Sequence, residues 1–153
     1  ERRWGWADAP YDCGVAWRGL QALAVRLEVL ERNSREIANG LADHPLVAQV
    51  LHPARPTCPG HAVWARDFSE STSVFSFIFK ETVTADRVVE FINQLQIFKI
   101  GMSWGGVNSL AVVYPDLQRP NHDYGGRIVR LNIGLEKVED LTGDLAQAMA
   151  ALT

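Results

Sequence analysis

Ile128-Val129-Arg130-Leu131-Asn132-Ile133-Gly134-Leu135-Glu136 opens with an alternating apolar pattern over Ile128 to Ile133 that reads as a β-strand. Arg130 stands inside that pattern. An unpaired guanidinium buried in a sheet is expensive, so Arg130 calls for a partner. Its planar fork matches a carboxylate through two parallel hydrogen bonds, which fixes both the position and the orientation of the bound group. Two kinds of partner meet that need: an acid of the chain itself, or the carboxylate of a ligand.

Working upstream, Ser103-Trp104-Gly105-Gly106-Val107-Asn108-Ser109-Leu110 carries a glycine pair. The pair gives the backbone freedom for a tight turn that can present Ser103 and Trp104 to a cleft and leave main-chain N–H groups accessible. Trp104 has a plainer reading as a core or interface aromatic. Ile97 to Ile100 and Leu110 to Tyr114 flank the turn as strand candidates, and Pro115 to Gly126 is an exposed, proline- and glycine-punctuated connection. Beyond Glu136, Val138, Leu141, Leu145, Met149 and Leu152 share one face of a helix whose first turn holds Glu139 and Asp140, favourable at the positive end of the helix dipole.

Further upstream, Ser73 to Phe79 reads as a strand with Ser76 breaking an apolar run. Thr84 is placed to cap a helix running to Leu95, and Val47 to Leu51 reads as a short strand. The segment from His52 to Gly60, with Pro53, Pro56 and Pro59, is a loop, and His61 to Phe68 has room for one or two helical turns. From about Tyr11 to Leu41, apolar residues at three- and four-residue steps predict one long amphipathic helix, closed before Pro45. Strands interleaved with helices in this order imply an α+β fold, a sheet covered by helices on one side.

The length of 153 residues fits one core of ordinary size. A formal charge of −3 gives no electrostatic reason to expect nucleic acid or an anionic membrane surface as partner, and no apolar run reaches membrane-spanning length. Cys13 and Cys58 stand far apart without metal-ligand spacing, and His44, His52, His61 and His122 are scattered, so no metal site is expected. With no signal-peptide core after Glu1-Arg2-Arg3-Trp4, a cytoplasmic setting is expected.

The Arg130 to Glu136 stretch and the Ser103 to Gly106 turn resemble the carboxylate-binding half of the pyridoxal-phosphate-dependent Cys/Met-metabolism enzymes. Ser-Trp-Gly-Gly is similar to the bacterial cystathionine β-lyase branch, where the γ-synthases and γ-lyases usually carry Ser-Leu-Gly-Gly. The likeness extends through Arg18-Gly19-Leu20, Val50-Leu51-His52-Pro53, the Gly60 to Phe68 stretch and the terminal helix; Asn108 and Ala22 depart from it, standing where many members carry Glu and Thr.

The resemblance implies the C-terminal domain of a fold-type I enzyme, a mainly antiparallel sheet with helices on its solvent side. It divides the chain into an N-terminal segment and linker helix over residues 1–45 and a substrate-carboxylate-binding domain over residues 46–153, with the cofactor domain outside this chain. It also implies substrate-binding roles for Arg130, Ser103 and Trp104, pyridoxal phosphate as cofactor of the complete enzyme, an amino-acid thioether as substrate, and assembly into a homo-oligomer, a tetramer in the family. The activity it implies is β-elimination that converts cystathionine to homocysteine, pyruvate and ammonia.

The family's cofactor lysine lies in a Ser-x-x-Lys context, and the only lysines here are Lys80, Lys99 and Lys137, none in that setting. The chain alone is therefore expected to bind no cofactor and to be inactive. The alternative is a non-catalytic amino-acid-binding or interaction domain that kept this fold without its cofactor lobe. An in-frame Ser-x-x-Lys segment upstream of Glu1 separates the two readings.

Overall fold

Strand β2 (Val74–Phe79) lies between β1 (Val47–Leu51) and β7 (Ile128–Asn132) and pairs antiparallel with both in the computed structural model, which describes residues 9–119 and 122–152. The sheet continues from β7 to β4 (Leu110–Val113), again antiparallel, and ends at β3 (Lys99–Ile100), which runs parallel to β4. The order is β1-β2-β7-β4-β3, so the strand carrying Arg130 is central. Alternation decides which side chains meet the core. Phe75, Phe77 and Phe79 of β2 and Val129 and Leu131 of β7 are buried on one face. Ser76 and Arg130, directly paired in register, lie on the other.

Helices cover the apolar face. Between β1 and β2 comes α3 (His61–Asp67), between β2 and β3 comes α4 (Ala85–Gln94), and α5 (Val138–Ala150) follows β7. Phe77, Phe79 and Phe91 form an edge-to-face triangle with ring centroids 5.0 to 6.1 Å apart, the arrangement that aromatic quadrupoles favour, and it ties α4 to β2. The Thr84 hydroxyl accepts from the Arg87 backbone N–H at 3.5 Å, the cap that its position foretold.

The single helix expected from about Tyr11 to Leu41 is two, α1 (Pro10–Gln21) and α2 (Leu23–Ala42), divided at Ala22. Arg26 explains how the break is tolerated: its guanidinium donates to the carbonyls of Gly19 at 2.7 Å and Ala22 at 3.4 Å, supplying partners where the helix is interrupted. Ile37, Ala38 and Leu41 of α2 enter the same core as the sheet, so the boundary drawn at residue 45 falls between two elements that share packing. No residue of α1 is buried. Trp4 and Trp6, which precede this helix in the sequence, lie outside the described residues.

Two strand expectations change. Ile97 and Phe98 do not join the ladder, because their N–H groups, with that of Gln96, donate to the Asp144 carboxylate of α5 at 2.8 to 3.1 Å. Strand β3 therefore starts at Lys99. The connection from Pro115 to Gly126 is not wholly irregular, since β5 (Gln118–Arg119) and β6 (His122–Asp123) form a small antiparallel pair.

Candidate substrate-carboxylate site

Arg130 projects from the middle of β7 on the face away from the helices, with Ser76 and Val112 as its cross-strand neighbours. Those side chains are short, so the guanidinium is free to turn toward the Ser103 turn. Its Nη2 donates to the Met102 carbonyl at 2.6 Å and to the Ser103 carbonyl at 3.4 Å. The guanidinium carbon sits 5.5 Å from the Trp104 ring centre and 5.7 Å from that of Tyr114, within cation–π range of both. No acid forms an ion pair with it among the described residues, where the pairs are Glu31–Arg35, Arg66–Asp67 and Arg87–Glu90. Its charge is held by two carbonyl oxygens and two aromatic faces, which orient it and leave it un-neutralised.

The turn that meets Arg130 is itself held from below by Asn132, two residues further along the strand. The Asn132 Oδ1 accepts from the Gly105 N–H and the Ser73 hydroxyl, each at 2.8 Å, while Nδ2 donates to the Asn108 carbonyl at 3.0 Å. Asn132 is almost wholly buried, so these bonds give partners to both the oxygen and the nitrogen of an amide that would otherwise be costly there. Gly105 has φ of 74°, the left-handed conformation that the glycine pair was read as allowing. Asn108 contributes through its backbone carbonyl, so the departure at that position leaves this clamp intact.

Gly134 and Glu136 complete the frame. The Glu136 carboxylate accepts from the Ser109 N–H and hydroxyl, both at 2.8 Å, and the Gly134 N–H donates to the same hydroxyl oxygen at 2.8 Å. A Cβ at Gly134 would run into the Val107 carbonyl oxygen and lie 2.7 Å from the Asn108 carbonyl carbon, so only glycine lets the two segments approach this closely. The Gly-Leu-Glu end of the motif thus fastens the turn rather than facing a ligand. Trp104 is 66% exposed, which excludes the core reading; it stands over Arg130 with its outer face open.

The structure brings Arg130, Ser103 and Trp104 into one place. Ser103 enters through its carbonyl. Sequence reading missed Asn132 and Tyr114: a polar residue in an alternating strand was the only local signal for the first, and the second lies on β4's continuation with no motif of its own. Beside Arg130 a cleft of about 310 Å³ is lined by Ser76, Tyr114, Arg119 and Tyr124. Lys80, Lys99 and Lys137 are all exposed, and none of them lines the cleft beside Arg130.

Comparison with known proteins shows the family of the chain. Residues 1–150 match the family model for Cys/Met metabolism PLP-dependent enzymes. The chain is 41% identical over 152 residues to cystathionine β-lyase of Salmonella typhimurium and 36% identical over 156 residues to that of Escherichia coli, in each case across 95% of this chain and 38% of the relative. The solved O-acetylhomoserine sulfhydrylase of Wolinella succinogenes superposes with a TM-score of 0.86 at 25% identity, over 97% of this chain and 41% of that one. The chain therefore spans less than half the length of these relatives, and the mixed α+β sheet with its Arg130 strand belongs to the Cys/Met metabolism family of PLP-dependent enzymes.

Proposed function

We propose that this chain is the C-terminal, substrate-carboxylate-binding part of a cytoplasmic carbon–sulfur lyase that cleaves cystathionine by β-elimination to homocysteine, pyruvate and ammonia. Arg130 carries the reading: a guanidinium fixed by the Met102 carbonyl, flanked by Trp104 and Tyr114, and free of any acidic partner among the described residues. Such a group binds an amino-acid carboxylate through two parallel hydrogen bonds and so sets the angle at which the rest of the substrate is presented. The Trp104 and Tyr114 rings lie within cation–π range of the guanidinium and help to fix its orientation. The cleft of about 310 Å³ beside Arg130 gives the thioether arm of the substrate a place to lie.

When bound in the complete enzyme, pyridoxal phosphate supplies the electron sink that makes the substrate's Cα proton removable. This chain supplies orientation. Its own lysines are exposed, which supports the expectation that the chain is inactive alone. The likeness to cystathionine β-lyases at 41% and 36% identity supports this reaction over others run on the same fold.

The test uses the complete enzyme. Arg130→Leu is expected to lower kcat/KM for cystathionine by about a hundredfold, roughly 3 kcal/mol of transition-state stabilisation. Arg130→Lys is expected to recover part of it, because lysine keeps the charge and loses the fork. Wild-type kcat/KM in both variants would overturn the carboxylate role.

A further inference from the structure

A second cluster of cationic side chains lies on the opposite side of the sheet from Arg130. His52 follows β1 and packs its ring 5.4 Å from that of Phe75, which is on the helix-covered face. Around it Arg35 and Asn39 of α2 and Ala54, Arg55 and Pro56 of the following loop line a cleft of about 320 Å³. The donors of this cleft outnumber its acceptors. His52 has no free nitrogen: its Nδ1 accepts from the Ala54 N–H at 3.2 Å, so its Nε2 carries the proton and donates to the Ser34 hydroxyl at 3.1 Å. The Asn39 Oδ1 is taken by Arg55 Nη1, which turns the amide NH₂ of Asn39 away from that bond.

Arg55 is the informative residue. Its one recorded side-chain partner is the neutral Asn39, no carboxylate pairs with it among the described residues, and its Nε is buried without an acceptor. Arg127 Nε is the only other buried side-chain nitrogen or oxygen in that condition among the described residues. A buried donor left unsatisfied costs free energy that a bound acceptor recovers. Arg35 is paired with Glu31 at 3.3 Å, but the same Glu31 oxygen also accepts from the Ser71 N–H and hydroxyl, each at 3.0 Å. The Glu31 oxygen is thus shared between Arg35 and Ser71, and no acid pairs with Arg55 among the described residues.

We propose that this cleft is a second anion site, distinct from Arg130, that takes a small tetrahedral oxyanion of the phosphate class between Arg35, Asn39 and Arg55. Guanidinium forks match phosphate oxygens in the way they match carboxylates, and the volume admits a phosphoryl group with part of the molecule that carries it. His52 reports on occupancy from the floor of the cleft. Burial first, then the charges of Arg35 and Arg55, push its pKa down to about 4, and Glu31 opposes them. An anion between the two arginines removes part of their repulsion and moves His52 upward.

The experiment titrates inorganic phosphate into the chain at constant ionic strength and follows the His52 ring by NMR, its signals assigned by their loss in His52→Gln. The expected result is saturable binding that raises the His52 pKa by about one unit. Affinity is expected to fall about tenfold or more in Arg35→Gln, an exposed position where folding is not at risk, and in Arg55→Gln, and to be unchanged in Arg130→Leu. Phenyl phosphate in a parallel arm separates the sources: tighter binding than phosphate identifies a phosphate ester as ligand, equal binding the free ion, and either supports the site. No saturable response, a response that survives in both Arg35→Gln and Arg55→Gln, or one abolished by Arg130→Leu overturns it. The last outcome would place the anion at the substrate site and leave the role of Arg130 standing.

Discussion

Asn132 shows how a residue with no chemistry of its own sets the geometry of one that has it. Its three side-chain hydrogen bonds join β7 to Ser73, the residue just before β2, and to both sides of the Gly105-Gly106 turn, so the carbonyls that hold Arg130 are placed by Asn132. Asn132→Ala removes all three and leaves the Gly105 N–H, the Asn108 carbonyl and the Ser73 hydroxyl unpaired. A loss of about 3 kcal/mol is expected, read as a lowered urea midpoint. Asn132→Asp keeps both acceptor bonds but sets a carboxylate against the Asn108 carbonyl, and is expected to be destabilised as well. A midpoint equal to wild type in both would show that the turn is held by other means.

At this scale the site was half legible in the sequence. Arg130 stood out as a guanidinium in an apolar strand, while the binding roles of Arg130, Ser103 and Trp104 were legible through the resemblance to the family motif. Tyr114 and Asn132 act through contacts set by strand register, and register is a property of the folded sheet that neither residue's own neighbours encode. Glu136 was read as part of a ligand-binding strand end, and the structure gives it to Ser109 instead.

Elements were more legible than residues, and the exceptions share a cause. Helical and alternating periodicities located α4, α5, β1, β2, β4 and β7 because each buries one face and its apolar spacing records that. The break at Ala22 and the short β3 leave no such record. In both, a distant or side-chain partner takes over backbone groups: Arg26 at the helix break, Asp144 at the start of β3.

Asp144 joins α5 to the segment that leads into the Ser103 turn. Burial works to raise its pKa, but the N–H groups of Gln96, Ile97 and Phe98 and the amide of Gln147 outweigh it and hold the carboxyl below the usual carboxylate range. A depressed carboxyl pKa contributes stability above the unfolded-state value and loses it as pH falls through the folded-state value. Asp144→Asn keeps one acceptor oxygen and turns an NH₂ toward backbone donors. At pH 7 it is expected to unfold with about 2 kcal/mol less stability than wild type, and the gap is expected to narrow as pH falls from about 4, the unfolded-state value, toward the lower pKa of the folded carboxyl. Urea titrations of both proteins at pH 7 and within that lower range give the comparison; a gap that stays constant with pH would remove the charge from the explanation.

For the whole molecule, α1 is the element that the rest leaves uncovered. The sequence pattern treated it as the first turns of an amphipathic helix, yet its apolar side chains do not share one stripe. At 3.6 residues per turn Tyr11 and Val15 fall about 40° apart on one side, with Trp17 and Leu20 roughly opposite, and all four are exposed. A helix apolar on both sides is ordinarily enclosed on both sides, and here, among the described residues, α2 is the main element that α1 packs against. Adjoining Leu23 and Val25 extend the exposed surface into α2. Contiguous apolar area of this kind marks an interface, and, since the chain spans 38% of its Salmonella typhimurium relative, we propose that a cofactor lobe or a neighbouring subunit covers it in a protein of that length. The chain alone has only other copies of itself to offer. It is therefore expected to self-associate through α1, with a sedimentation coefficient that rises across a concentration series. Trp17→Glu, which puts a charge at a position 67% exposed and disturbs no core contact, is expected to return it to monomer with its unfolding midpoint unchanged. A wild-type chain that stays monomeric over the same series would show that the apolar sides of α1 tolerate water, and the assignment of that helix to an interface would fall with it.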